Sequence, residues 1–187
     1  VEVNSSDDGI NAASDVISDI WLLISAGSVV VNAEGDGLDA NGSFTMTGGD
    51  VVVNGPTNDG NGALDVDGDF TVDGGTLLAM GSAGMAVAPG TASAQGWISA
   101  QVSAAAGTQI VVTDSSGAEV ASFTTTKQMA SVVYAADGIT AGQSYTVTPA
   151  GGSAVTVTAG EHTGGMGGGG MGGGRGGEQP PSGSGRG

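Results

Sequence analysis

An imperfect repeat with an acidic turn occupies the first half of the chain. Val1–Ala12 and Val29–Ala40 align without a gap at an offset of 28 residues. A third copy begins at Val51 and resumes at Ala63 after four extra residues, and Leu77 begins a decayed fourth copy. Repeats of this length are single supersecondary units that stack on their neighbours. The repeat therefore restricts the chain to a stacked, repetitive architecture.

The segments between the acidic turns predict strands. Phe44–Thr47 and Phe70–Asp73 alternate apolar and polar residues, which is typical of half-buried strands. Small-residue turns, among them Thr47–Asp50 and Asp73–Thr76, precede the next apolar run. A spacing of 22 to 28 residues is too short for a strand–helix–strand unit. Residues 1–90 are therefore predicted to form three to four coils of a parallel β-helix.

A different pattern follows residue 90. Short β-type runs separated by turn residues predict a small antiparallel β module over residues 91–160, capping the end of the coils. The Gly- and Met-rich residues 161–187 cannot supply a core, and they are predicted to be a disordered tail. The predicted strands of the module are Trp97–Val102, Gln109–Thr113, Val120–Thr124, Ser131–Tyr134, Tyr145–Thr148 and Val155–Thr158.

Composition limits the partners. The net charge of −16 argues against nucleic acid and anionic membranes, since both need clustered Lys and Arg. The chain has no cysteine, and its longest strongly apolar run, Ile20–Ile24, is too short to cross a bilayer. The chain also starts inside a repeat, so we expect the natural protein to begin further upstream.

The stacked acidic turns predict a calcium site. Residues 1–90 hold thirteen Asp and Glu besides Glu2 but no Lys, Arg or His. Equivalent positions on neighbouring coils lie about 4.8 Å apart, so stacked carboxylates repel one another unless a cation lies between them. Ca²⁺ takes six to eight oxygen ligands, whereas zinc and copper prefer imidazole or thiolate. The predicted ligands are Asp7, Asp8, Asn11, Asp36, Asp39, Asn41, Asp59 and Asp65. The alternative is that these acidic and amide residues are turn residues that face solvent.

The repeat also stacks three asparagines, Asn4, Asn32 and Asn54, on successive coils. This stack is predicted to be an internal amide ladder and not a binding feature.

Several segments together resemble one protein family. They are Asp-Asp-Gly-Ile-Asn-Ala, Gly-Asp-Gly-Leu-Asp-Ala-Asn-Gly, Asn-Gly-Pro-Thr-x-Asp-Gly-Asn-Gly-Ala-Leu-Asp, Ser-Val-Val-Tyr and the Gly-Met-Gly-rich end. The chain is similar to the C-terminal portion of the bacterial carbohydrate-binding β-helix family, whose founding member is a clostridial cellulose-binding protein. The resemblance implies a right-handed β-helix of polysaccharide-lyase topology, calcium at Asp8, Asp36, Asp39 and Asp65, and affinity for cellulose or acidic glycans. It also implies a secreted or lipoprotein-anchored protein outside the cell. The fourth coil lacks the family's acidic turn.

Three classes of function remain open at this stage. The first is a carbohydrate-binding module, expected to be a monomer, in which Trp97 is the candidate for sugar contact and Trp21 is expected to be buried. The second is a structural surface protein, such as an adhesin stalk, without glycan affinity. The third is a polysaccharide lyase, which is disfavoured because the coils contain no Lys or Arg to act as the base. The sequence thus predicts a binding protein and not an enzyme.

Overall fold

The structure is a computed structural model that describes residues 1–162, and its regular elements in that range are all strands. The predicted disordered tail lies outside the described residues, apart from Glu161 and His162. Numbered in chain order, the strands are β1 (Glu2–Ser5), β2 (Ile10–Ala12), β3 (Trp21–Ile24), β4 (Ser28–Ala33), β5 (Leu38–Ala40), β6 (Ser43–Met46), β7 (Asp50–Asn54), β8 (Leu64–Val66), β9 (Phe70–Val72), β10 (Thr76–Gly81), β11 (Trp97–Ala104), β12 (Gln109–Asp114), β13 (Glu119–Thr124), β14 (Met129–Ala135), β15 (Ser144–Pro149) and β16 (Val155–Thr158).

The first nine strands wind into a β-solenoid of about three turns, which confirms the predicted all-β fold. Each turn contributes one strand to each of three parallel sheets. The sheets run β1-β4-β7-β10, β2-β5-β8 and β3-β6-β9. In the described residues the decayed fourth copy adds only β10, to the first sheet.

Alternation along each short strand fills the interior of the solenoid. Every second side chain points inward, so equivalent apolar residues of successive turns lie on one another. Phe44 and Phe70 illustrate this arrangement, with ring centroids 5.0 Å apart and an interplanar angle of 21°. Val31, Val53 and Leu38 are fully buried in the same core. The sequence repeat therefore reflects the core, to which each turn of the solenoid contributes equivalent apolar side chains.

Glycines make the turns between strands possible. Gly27, Gly49 and Gly75 occupy equivalent corners and have φ of 87°, 95° and 91°. Side chains disfavour this left-handed region, whereas glycine enters it freely. The Gly-Gly turns of the sequence are therefore required by the backbone at the corner before β4, β7 and β10.

Two strands of the C-terminal module join the solenoid. The strand β14 pairs antiparallel with β10, and β11 pairs with β14, so the first sheet has six strands in the order β1-β4-β7-β10-β14-β11. The remaining strands form a separate antiparallel sheet in the order β13-β12-β15-β16. The sequence predicted the antiparallel strands but not that two of them would extend the parallel sheet.

Candidate functional sites on the coils

The predicted stacking of the acidic turns is confirmed by strand register. Asn11 pairs with Asp39, and Asp39 pairs with Asp65, one coil after another. Asp8 lies beside Asp36, because the Asp36 N–H donates to Asp8 Oδ1 at 2.9 Å. We call Asp8, Asn11, Asp36, Asp39 and Asp65 the carboxylate ladder.

Amide donors hold the oxygens of this ladder. The Gly62 N–H donates to Asp36 Oδ1 at 2.6 Å, repeating the bond from Asp36 to Asp8 one coil further on. Asn11 Nδ2 donates to Asp39 Oδ2 at 2.6 Å and to Asp8 Oδ2 at 3.1 Å. These bonds tie each coil to the next through its acidic turn. The turn carboxylates therefore stabilise the stack directly.

Three carboxyl groups of the ladder are in surroundings that disfavour their charged form. Burial is the largest cause that raises the pKa of Asp39 to about 6, and repulsion from Asp8 and Asp65 adds to it. Burial also raises the pKa of Asp36, against the lowering effect of its Gly62 hydrogen bond. The pKa of Asp65 is raised by burial and then by the nearby Asp67. These carboxylates therefore take up a proton more readily than exposed ones do, and a nearby cation would stabilise their charged form.

Three predicted ligands lie outside the ladder. Asp7 is exposed on the first turn, and only its carbonyl bonds the next coil, accepting from the Gly35 N–H at 3.1 Å. Asn41 Nδ2 lies 3.4 Å from Asp67 Oδ2, and Asp59 Oδ1, in the insertion after β7, accepts from the Gly84 N–H beyond β10 at 3.3 Å. Asp67 was missed by the sequence prediction. Its alignment with Asn41, 26 residues earlier, is the signal that identifies it.

The ladder supplies the type of ligand atom that calcium prefers, but its oxygens are not arranged around a common point. Its side chains offer oxygen ligands, which suit a hard cation. Among residues 1–162, however, no group of three or more His, Cys, Asp or Glu is arranged to hold a metal ion. The oxygens point instead toward the amide donors of the neighbouring coils. Bound calcium would require side chains of the ladder to turn toward a common point.

The predicted asparagine ladder is present. Asn4, Asn32 and Asn54 are in register, and Nδ2 of each later residue donates to Oδ1 of the earlier one at 2.8 Å. The series ends at Asn54, whose buried Oδ1 has no donor within the described residues. Met80 occupies the next position in register and offers no N–H from its side chain. The ladder lies on the outward face of the first sheet and not inside the coils as predicted, because Val31 and Val53 take the inward positions beside it. Asn4 is exposed, Asn32 is half-buried and Asn54 is buried.

The expectation that Trp21 is buried is wrong. Its side chain is 63% exposed, and that of Leu23 is 47% exposed. In β3 the inward positions belong to Leu22 and Ile24, which lie beside the buried Phe44 and Met46 of β6. Alternation therefore turns Trp21 outward. The apolar run around it misled the prediction because only every second residue of the strand enters the core.

Trp21 belongs to an outward face of the third sheet. In register, Trp21 lies beside Ser43, and Leu23 lies beside Thr45 and then Thr71. Thr71 Oγ1 donates to Thr45 Oγ1 at 3.4 Å. We call these five residues the Trp21 face. It combines one indole ring and one leucine with a short row of hydroxyl groups.

Trp97 does not offer an open surface for sugar stacking. It is only 3% exposed, because β11 continues the first sheet and places its ring in the core of the solenoid. The candidate sugar contact of the sequence analysis is therefore corrected, and of the two tryptophans Trp21 is the exposed one.

Comparison with known proteins does not extend the family resemblance. No protein-family model, no curated protein and no solved structure matches this chain. What the structure supports of the resemblance is a β-solenoid of about three turns. Within residues 1–162, no helix has the length and apolar character needed to cross a membrane.

Proposed function

We propose that this chain is a carbohydrate-binding module of a secreted or cell-surface bacterial protein, and that it binds polysaccharide through the Trp21 face. The observation that carries the proposal is the 63% exposure of Trp21. This residue lies on β3, which is held in the coils by its pairing with β6. A soluble protein gains nothing in folding by presenting a large indole to water. Exposed aromatic side chains of this kind are typical of recognition surfaces.

The geometry of the Trp21 face suits an extended, flat ligand. Successive coils place its rows about 4.8 Å apart, and positions two apart along a strand are about 6.6 Å apart. The ring of a pyranose has an apolar C–H side that packs against an indole. Ser43, Thr45 and Thr71 then offer hydroxyls to the equatorial groups of the same chain.

The negative charge of the protein favours one of the two classes of glycan that the resemblance implies. At a net charge of −16 the protein repels a polyanion, and the Trp21 face contains no basic residue. Cellulose is neutral and needs no counterion. An acidic polysaccharide would need a cation between the two negative surfaces. The proposed ligand is therefore a neutral β-glucan such as cellulose, with acidic glycans bound only through a bridging cation.

Retention on insoluble cellulose tests this proposal. The wild-type chain is expected to co-sediment with cellulose, and Trp21→Ala is expected to remain in the supernatant. The matched control is Ile17→Ala, which removes an apolar side chain that is 59% exposed but outside the Trp21 face. Equal retention of the wild type and Trp21→Ala, or no retention of either, would rule out the proposed surface. Release of unsaturated sugars from polygalacturonate would show a lyase instead.

We also propose that calcium stabilises the coils at the carboxylate ladder. Support comes from Asp36, Asp39 and Asp65, whose pKa values are raised first by burial and then by the neighbouring carboxylates. A cation bound only by the folded chain raises the melting midpoint. Calcium is therefore expected to raise that midpoint over the chelated protein in the wild type and not in Asp39→Asn. An equal midpoint with calcium and with chelator would contradict the calcium proposal while leaving glycan binding untouched.

A structural surface protein is the second candidate. It is favoured by the amide and carboxylate ladders, which join neighbouring coils without any ligand. A structural stalk requires coils that stack stably without a bound ligand, and it does not require an exposed binding surface such as the Trp21 face. Failure of the cellulose experiment together with intact, stable coils would favour this alternative.

A further inference from the structure

A cavity of about 380 Å³ lies where the last coil meets the C-terminal module. Its walls include Thr91, Ser93, Gln95, Trp97, Ala141 and Glu161. This volume falls at the lower end of the roughly 300–1,000 Å³ that is usual for small-molecule sites. The cavity is separate from the Trp21 face and uses neither Trp21 nor the hydroxyl row.

The walls of the cavity are fixed by hydrogen bonds. Ser93 Oγ accepts from the Val72 N–H at 3.0 Å, and the Gln95 N–H donates to the Val72 carbonyl at 3.0 Å. These bonds hold the segment around residues 91–96 against β9. Elsewhere in the lining, the Gly160 N–H donates to the Trp97 carbonyl at 2.9 Å, and the Gly142 N–H donates to the Ala159 carbonyl at 2.8 Å. The site is therefore formed before a ligand arrives, which lowers the entropy cost of binding.

The lining combines an apolar wall with a few polar groups. Ala141 and Ala159 border the cavity, and Trp97 lies behind this wall with its side chain almost wholly buried in the core. Gln95 Nε2 is held by the Gly75 carbonyl at 2.6 Å, which leaves Gln95 Oε1 as an acceptor. Ser93 still has its hydroxyl hydrogen to donate, and Glu161 adds a carboxylate.

These groups select the class of ligand. One carboxylate and one amide oxygen accept from hydroxyl groups, and the apolar wall packs against C–H groups. Glu161 repels an anion, and the cavity has no basic residue to attract one. We infer that this cavity binds the end of a neutral oligosaccharide, one or two sugar residues long. The inference rests on the proposed function in taking a glycan as the ligand, but it assigns a second site to it.

The Trp21 face and the cavity then recognise different parts of a polysaccharide. An open face packs along the length of a chain in an insoluble surface, whereas a half-open cavity of this size takes up a free end or a short soluble fragment. Soluble and insoluble ligands therefore separate the two sites in an experiment.

Calorimetric titration of the full chain with cellotetraose tests the cavity. We expect Glu161→Gln to weaken cellotetraose binding by about ten-fold or more, the range for a lost hydrogen bond to a charged acceptor. Ala141→Phe, at an exposed position of the rim, is expected to block the cavity. The matched controls are Glu119→Gln and Ala118→Phe, which make the same changes at exposed positions where the β12–β13 turn enters β13. Both controls are expected to bind as the wild type does.

The outcomes distinguish the cavity from the Trp21 face. Cellotetraose binding that is lost in Trp21→Ala but unchanged in Glu161→Gln and Ala141→Phe would overturn the cavity and support the face. Retention on cellulose without any cellotetraose binding would likewise overturn the cavity alone. Cellotetraose binding that depends on Glu161 in a protein not retained on cellulose would support the cavity and contradict the face.

Discussion

At the residue scale, Asp39 lies at the centre of the carboxylate ladder. It is nearly buried, it accepts a hydrogen bond from Asn11 at 2.6 Å, and its pKa is raised to about 6 by burial and by Asp8 and Asp65. The sequence correctly predicted which acidic residues stack, because stacking follows from the repeat. It did not reveal that amide donors of the neighbouring coils reach their oxygens, since that depends on the offset between coils. The like-charge problem is therefore eased by hydrogen bonds as well as by any cation.

The raised pKa of Asp39 predicts a stability that depends on pH. The folded chain holds this proton up to about pH 6, whereas the unfolded chain loses it near the ordinary aspartate pKa of 3.8. The folded state thus binds more protons in this interval, and its free energy of unfolding falls as pH rises from about 4 to about 6. Between pH 7 and pH 4.5 in calcium-free buffer, the wild type should gain roughly 2 kcal/mol more stability than Asp39→Asn.

Urea unfolding of both proteins at the two pH values measures this difference. Asp50→Asn, at an exposed position outside the ladder, is the matched control and should follow the wild type. A wild type and an Asp39→Asn variant with parallel pH dependence would contradict the assigned role of Asp39.

At the scale of the strands and turns, close stacking explains why each acidic turn contains glycine. A Cβ on Gly37 would overlap Val53 Cγ1 and the Ala63 carbonyl of the following coil. One coil earlier, a Cβ on Gly9 would likewise overlap Val31 Cγ1. The Asp-Gly pairs could be read from the sequence as turn signals. Their packing role could not, because it depends on how closely the next coil approaches.

A single methyl group at this turn is expected to disturb the stack. Gly37→Ala should lower the free energy of unfolding by about 2–3 kcal/mol, since the overlap is with backbone and a buried valine. Gly60→Ala is the control, because its added Cβ would meet only Asn58 Oδ1, at 3.3 Å. Thermal or urea unfolding compares them. Equal stability of the two variants would show that the coils can separate locally to admit the methyl group.

At the scale of the whole molecule, one basic residue connects the C-terminal module to the coils. Lys127 Nζ donates to the Ala33 carbonyl at 2.6 Å and to the Gly55 carbonyl at 3.2 Å, and it pairs with Glu34 at 3.0 Å. Strand pairing between β10 and β14 makes the second connection. The sequence placed Lys127 in the module but gave no sign of this reach, because contacts between distant segments are not periodic.

The carbonyl bonds of Lys127 should matter more than its ion pair. Lys127→Met removes both hydrogen bonds from a largely buried position and is expected to cost about 2–3 kcal/mol in the free energy of unfolding. Glu34 is mostly exposed, so Glu34→Gln should cost at most about 1 kcal/mol. Chemical denaturation of both variants measures the contrast. If Glu34→Gln were the more damaging change, the ion pair would be the main connection instead.

The proposal that the chain binds polysaccharide depends most of all on the exposed indole of Trp21. The protein contains two tryptophans, Trp21 exposed to water and Trp97 buried in the core, so acrylamide quenching of their fluorescence reports mainly on Trp21. Suspended microcrystalline cellulose is expected to protect the wild-type chain from quenching, because a glucan lying on the Trp21 face excludes the quencher. Quenching that is unchanged by cellulose under conditions where the protein sediments with it would contradict binding through this face.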